Sequence, residues 1–173
     1  MHSIYSYNLS ITLKTSEKYN LKFPISQRII QLTKQLVKKE LEMQSKVEEF
    51  DKYLKSFDYQ ERMDMKIKRE ELFERYAKGE LQIIDIRFHE EYEAWSLGFG
   101  DHIPLNELPD RLDEVDKNKT IVTMCPHYDR AEIARLYLKL QGFDAKYLTD
   151  GMLGLVEGLR GDKARDYINR LKG

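Results

Sequence analysis

Three patterns of hydrophobic and polar residues divide the chain. Residues 4–13 alternate between apolar and polar side chains, which predicts a half-buried strand. From Pro24 to about residue 57, apolar residues recur at helical spacing and predict one long amphipathic helix. Beyond residue 63, short apolar runs alternate with helical patterns. The chain is therefore predicted to be mainly helical at first and α/β afterwards.

The long helix carries apolar residues at every seventh position. They are Ile29, Leu36, Met43, Phe50 and Phe57. The companion stripe is interrupted by Lys39 and Lys46, which favours a single amphipathic helix packed on its own domain. The alternative is a coiled coil, through which the N-terminal helices would form a homodimer.

The second part of the chain repeats short strands and helices. Strands are predicted at residues 65–67, 81–86, 120–124 and 145–148. Helices are predicted at residues 69–78, 89–94, 106–115, 131–141 and 162–171, with a short one after Gly151, and residues 57–64 are predicted to be a connector. Buried strands separated by helices indicate a parallel sheet flanked by helices. We expect a mainly helical region at residues 1–62 and an α/β domain at residues 63–173.

Charge and composition narrow the classes of function. The 29 basic and 30 acidic residues leave a net charge of −1, which argues against a nucleic-acid partner. No apolar run is long enough to cross a membrane, and no signal peptide is visible, so a cytoplasmic location is expected. With one cysteine and four histidines at spacings that match no zinc pattern, neither a metal nor an organic cofactor is expected.

The single cysteine lies where a predicted strand ends and a helix is about to begin. Cys125 follows the strand at residues 120–124, and Arg130 comes five residues later. Backbone N–H groups of the loop, the positive end of the helix and the Arg130 guanidinium would all favour a thiolate. We therefore expect a lowered pKa for Cys125 and a nucleophilic role. The alternative is an inert cysteine packed in the core.

Residues 65–160 resemble a rhodanese domain. The resemblance is carried by segments in the family's order: Ile67 to Leu72, Ile83 to Arg87, Glu90 to Tyr92, Ile103 to Leu108, Cys125 to Arg130, Gly142 with Phe143, and Tyr147 to Met152. It implies a rhodanese-like sheet in which Cys125 carries sulfur as a persulfide and Arg130 is a cation of the loop. It also implies that Asp85 and Arg87 orient the structure near the site, where a structural ion pair is the favoured interpretation.

The loop departs from the family's pattern in two places. Pro126 stands where a basic residue is common, and Tyr128 stands where a glycine is common. Pro126 also has no N–H to donate. Thiosulfate is therefore expected to bind less well than usual, and polysulfide or a protein persulfide could be the donor. His127, Tyr128 and Asp129 are expected to border the substrate together with Pro126 and Arg130.

Three functions fit the sequence. The first is a sulfurtransferase that moves sulfur from thiosulfate or polysulfide to cyanide, a small thiol or a protein cysteine through a Cys125 persulfide. The second is a phosphatase or arsenate reductase, which the four-residue spacing between Cys125 and Arg130 disfavours because related loops for oxyanions contain five residues. The third is a non-catalytic interaction module.

Overall fold

A computed structural model describes residues 25–172, and side chains from residue 27 onward. The strand predicted at residues 4–13 lies outside the described residues. Five parallel strands form one sheet in the order β1-β5-β4-β2-β3. They are β1 Lys66–Ile67, β2 Leu81–Asp85, β3 Asp101–His102, β4 Thr120–Met124 and β5 Ala145–Leu148. The predicted parallel sheet flanked by helices is confirmed.

In addition to the strands, the described residues form seven α-helices. They are α1 Ile25–Ser56, α2 Tyr59–Asp64, α3 Arg69–Ala77, α4 His89–Ala94, α5 Asp129–Leu140, α6 Gly151–Gly158 and α7 Asp162–Leu171. The long N-terminal helix was predicted from the sequence and is confirmed. None of the described helices is both long and apolar enough to cross a membrane.

Side chains of the central strands point alternately to the two faces of the sheet. On one face, Ile84 and Ile121 pack with α5, while on the other Ile83 and Val122 pack with α3 and α6. Every residue of β4 is buried, and the hydroxyls of its two threonines, Thr120 and Thr123, donate to Asp144 and to the Ala131 carbonyl. Because all five strands are parallel, their carboxyl ends share one edge, where the loop after β4 begins.

Two predictions of secondary structure were wrong. Residues 57–64 are not a simple connector, because Asp58 accepts a hydrogen bond from the Glu61 N–H at 2.8 Å and caps helix α2. The helix predicted at residues 106–115 is instead two 3-10 turns, Leu108–Asp110 and Leu112–Glu114. Pro109 in the first turn has no N–H to donate, and each turn closes over three residues. The two-residue strand β3 was not predicted, since its residues are polar.

The described residues divide into two units, with the boundary between Lys52 and Tyr53. In the first, every described side chain of α1 is exposed, including those of the seven-residue repeat up to Phe50. The homodimeric coiled coil stays a prediction, and so does the division at residue 62. The second unit holds the whole sheet.

Within the second unit, a buried arginine joins helix α5 to the residues before the sheet. The Arg135 side chain is 1 % exposed and donates to the Ala145 carbonyl at 3.0 Å and to the Tyr53 hydroxyl at 2.6 Å. Its guanidinium also forms an ion pair with Glu61. Burial disfavours the charged form of Glu61, yet hydrogen bonding and charge from Arg135 hold the pKa of this carboxyl below its usual value.

Replacing Glu61 should show how far the stability of the second unit depends on this ion pair. Glu61→Gln leaves the buried Arg135 charge without its partner, so we expect a loss of about 3 kcal/mol in the free energy of unfolding. Because the carboxyl has a lowered pKa, its stabilisation is present above about pH 4.5 and lost as the pH falls. Urea denaturation at several pH values measures both effects. Glu157→Gln, which removes the exposed pair with Arg160, should cost under about 0.5 kcal/mol.

Candidate functional site

Cys125 lies directly after β4, at the carboxyl edge of the sheet. Helix α5 begins at Asp129, two residues earlier than predicted, so the loop between strand and helix is short. Cys125 is 0 % exposed and packs in the hydrophobic cluster beneath α5. The thiol is thus held at the base of the loop, while His127 and Tyr128 are exposed above it.

The start of helix α6, which follows the neighbouring strand β5, is hydrogen-bonded to the loop. The Met152 N–H donates to the Cys125 carbonyl at 2.9 Å, and the Leu153 N–H donates to the Pro126 carbonyl at 3.3 Å. Gly151 has a φ of +60°, and a Cβ there would lie 2.2 Å from the carbonyl oxygen of His127. Only glycine fits, because a side chain would push against the backbone of the loop.

The electrostatics of the Cys125 thiol reflect two opposed effects. Burial raises the pKa of the thiol above its usual value. Hydrogen bonding from the backbone of Ala131, Arg130 and His127 lowers the pKa, while the charge of the Asp129 carboxylate raises it. Burial is the largest effect, so the lowered pKa predicted from the sequence was wrong. The predicted convergence of backbone donors is present, and it is formed without the residue after the cysteine, Pro126.

Arg130 bonds to a carboxylate that the sequence prediction did not assign to the site. Its guanidinium donates to Glu91 at 2.6 Å and 2.8 Å in a bidentate ion pair. Hydrogen bonding to Arg130 holds the pKa of Glu91 at about 2, so the pair is charged across the neutral range. The sequence signal was the Glu90-Glu91-Tyr92 segment, but nothing in it indicated a partner 39 residues away.

Asp85 and Arg87 form a buried ion pair beside this arginine. Arg87 is 0 % exposed, and its guanidinium bonds to the Asp85 carboxylate at 2.7–3.1 Å. It also donates to the Glu91 carbonyl at 3.2 Å and to the Trp95 carbonyl at 2.9 Å. Arg87 therefore positions helix α4, which carries the Glu91 side chain toward Arg130.

Of the other predicted site residues, Asp129 is the one whose side chain reaches the sulfur. Its Oδ1 lies 3.7 Å from the Cys125 Sγ, and the thiol can donate to it. His127 and Tyr128 lie exposed on the same loop, and Pro126 is partly buried. The structure thus brings Cys125, Asp129 and Arg130 together, and adds Glu91 to them.

The chain matches the family model of the rhodanese-like domain at residues 68–157. It is 38 % identical over 89 residues to the HTH-type transcriptional regulator Rv0324 of Mycobacterium tuberculosis, covering 50 % of this chain and 39 % of that protein. It is 35 % identical over 80 residues to the putative sulfur carrier protein YrkF of Bacillus subtilis, covering 46 % of this chain and 40 % of that protein. The chain thus spans about two fifths of the length of these relatives.

A solved structure shares the same fold. The BH2092 protein from Bacillus halodurans is 23 % identical and has a TM-score of 0.52. The match covers 57 % of this chain and 76 % of that one. At this level of identity the likeness concerns the fold alone.

The dependence of the loop on Gly151 can be measured against Gly161, a glycine with nearly the same φ. Gly161 has a φ of +59° and nothing within 4 Å of the Cβ position, whereas Gly151 faces the loop backbone. We expect Gly161→Ala to cost about 1 kcal/mol of stability from backbone strain alone. Gly151→Ala should cost at least about 2 kcal/mol more, because the loop must move. Equal losses in urea denaturation would contradict the close contact.

The raised pKa of Cys125 predicts slow alkylation at neutral pH. The rate constant for alkylation by iodoacetamide should rise with pH. Its midpoint should lie above that of an ordinary thiol, which is at about pH 8.5. The unfolded chain in urea is a matched control, since it has the same single cysteine without the burial. A midpoint in the folded protein at or below that of the unfolded chain would show that the backbone donors outweigh burial.

Proposed function

Because the chain belongs to the rhodanese-like domain family, we propose that it is a sulfurtransferase in which Cys125 carries a sulfane sulfur as a persulfide. The observation that carries the proposal is the position of Cys125, directly after β4 at the carboxyl edge of the sheet and at the base of a loop held by the start of α6, where hydrogen bonding from the backbone of His127, Arg130 and Ala131 favours negative charge on the sulfur. Such donors stabilise negative charge on the sulfur, both in the thiolate and in a terminal persulfide anion.

The reaction proceeds in two displacements. The Cys125 thiol first loses its proton to solvent, and the thiolate attacks the outer sulfur of the donor. A new S–S bond forms at Cys125 while the donor's bond to that sulfur breaks, and the remainder leaves with the electron pair. The acceptor then attacks the terminal sulfur of the persulfide, which releases the Cys125 thiolate. The two displacements together regenerate the Cys125 thiolate and move one sulfane sulfur from donor to acceptor, so no external oxidant or reductant is needed.

The donor and acceptor belong to the chemistry of sulfane sulfur. Thiosulfate or polysulfide is the proposed donor, and cyanide, a small thiol or a protein cysteine is the proposed acceptor. Similarity to a putative sulfur carrier protein supports this class of reaction. Since Cys125 is the only cysteine, no second thiol of the same chain can take the sulfur. A cytoplasmic location stays a prediction.

One observation favours the second candidate, a non-catalytic interaction module. Cys125 is fully buried, and burial raises its pKa, as expected of a cysteine that serves packing. The persulfide proposal is preferred because the backbone donors and the Gly151 contact shape the loop around the sulfur. A phosphatase or arsenate reductase is less well supported, since the Arg130 guanidinium is bonded to Glu91 and does not face a free anion site.

Mass spectrometry of the intact protein tests the proposal. After incubation with polysulfide and removal of excess reagent, we expect a gain of sulfur atoms that cyanide then removes, with thiocyanate formed in equal amount. The chain has one cysteine, so the gain is assigned to Cys125 by Cys125→Ser, which should gain none. If the folded wild-type protein gains no sulfur, the interaction module becomes the better conclusion.

A further inference from the structure

The two arginines of the candidate site are already neutralised by protein carboxylates. Arg130 forms its bidentate pair with Glu91, and the fully buried Arg87 forms its pair with Asp85. Neither guanidinium is left to receive the charge of an incoming anion. Pro126, next to the sulfur, has no N–H that could bind one.

One carboxylate is left facing the sulfur. Asp129 Oδ1 lies 3.7 Å from Cys125 Sγ, and among the ion pairs formed by residues 27–172 none includes Asp129. The charge of Asp129 contributes to the raised pKa of Arg130, but the hydrogen bonds of that arginine go to Glu91. Counting whole charges, Arg130 and Glu91 cancel, and Asp129 leaves the approach to the sulfur negative.

We infer that Asp129 determines the class of sulfur donor, so that the site discriminates against compact dianions such as thiosulfate and favours donors that bring at most one negative charge close to the Cys125 sulfur. The inference rests on the proposed function, since it concerns the donor of the same Cys125 persulfide. Asp129 acts here as a specificity-determining residue, through its charge, and takes no part in bond making.

The physical reason for this discrimination is electrostatic repulsion between the donor and the Asp129 carboxylate at short distance. The outer sulfur of the donor has to approach Sγ closely, which brings the donor's own charge within about 6 Å of the Asp129 carboxylate. Asp129 is exposed but lies against a buried sulfur, so an effective dielectric between those of water and of the protein surface applies, and each extra unit of negative charge at this distance should slow the reaction by about tenfold. Glu91 prevents Arg130 from offsetting the repulsion.

Two donors that differ mainly in charge make the test sharp. Thiosulfate is a dianion, and methanethiosulfonate is the corresponding monoanion with a methyl group in place of one oxygen. In both, the Cys125 thiolate forms a bond to the outer sulfur and the bond from that sulfur to the sulfonyl sulfur breaks. Sulfite or methanesulfinate leaves with the electron pair, and the same persulfide remains.

The experiment measures the rate constant of persulfide formation with each donor, by mass spectrometry of the full chain. For Asp129→Asn, which keeps the shape and removes the charge, the ratio of the thiosulfate constant to the methanethiosulfonate constant should rise about tenfold. Added salt should raise the wild-type ratio and leave that of the variant nearly unchanged. Glu91→Gln, which frees Arg130, should raise the ratio as well.

A distant aspartate supplies the matched control. Asp113 is exposed in the second 3-10 turn, beside Glu114, whose carbonyl accepts from Gln82 near the amino end of β2. Asp113→Asn should leave the ratio unchanged. If the wild type forms the persulfide but Asp129→Asn keeps the wild-type ratio, the inference about Asp129 is wrong and the sulfurtransferase stands. If the wild type gains sulfur from neither donor nor from polysulfide, the proposed function fails, and the donor rule fails with it.

Discussion

The buried ion pair of Asp85 and Arg87 is the interaction on which the site depends. An arginine with no exposed surface is tolerated in a core only when its donors are satisfied, and here the carboxylate and two backbone carbonyls satisfy them. Those carbonyls belong to helix α4 and to the residue after it, so the charge at the end of β2 determines where α4 lies. Helix α4 in turn carries Glu91, which holds Arg130 at the start of α5. Strand, helix and loop are thereby joined by two successive ion pairs.

This arrangement changes which groups can stabilise a negative sulfur. An arginine near a cysteine suggests direct charge compensation, but a guanidinium in a bidentate bond with a carboxylate contributes little net charge. Stabilisation of a thiolate or persulfide then depends on hydrogen bonding from the backbone of the loop. Backbone donors are fixed by the conformation of the loop, and Gly151 permits that conformation because it has no side chain. The chemistry of the site therefore depends on how closely α6 approaches the loop.

Burial and polarity act against each other at the sulfur. The thiol lies in an apolar cluster beneath α5, where a charged form loses the solvation of water. A persulfide anion extends further from the backbone than a thiolate does, so the sulfur that reacts with an acceptor lies nearer to the surface. A buried thiol and an accessible terminal sulfur are compatible for this reason. His127 and Tyr128 are the exposed residues of the loop that follows the thiol.

The sequence by itself determined the fold class, four of the five parallel strands and the position of Cys125 between β4 and a helix. These follow from hydrophobic periodicity and turn residues, which are local properties of the chain. Only the tertiary structure decided that Arg130 meets Glu91 and that Cys125 is fully buried. Both depend on contacts between segments far apart in sequence, and neither has a local signature. The direction of the Cys125 pKa was mispredicted for the same reason: backbone donors can be anticipated from a strand-to-helix loop, whereas the depth of burial depends on how the helices pack.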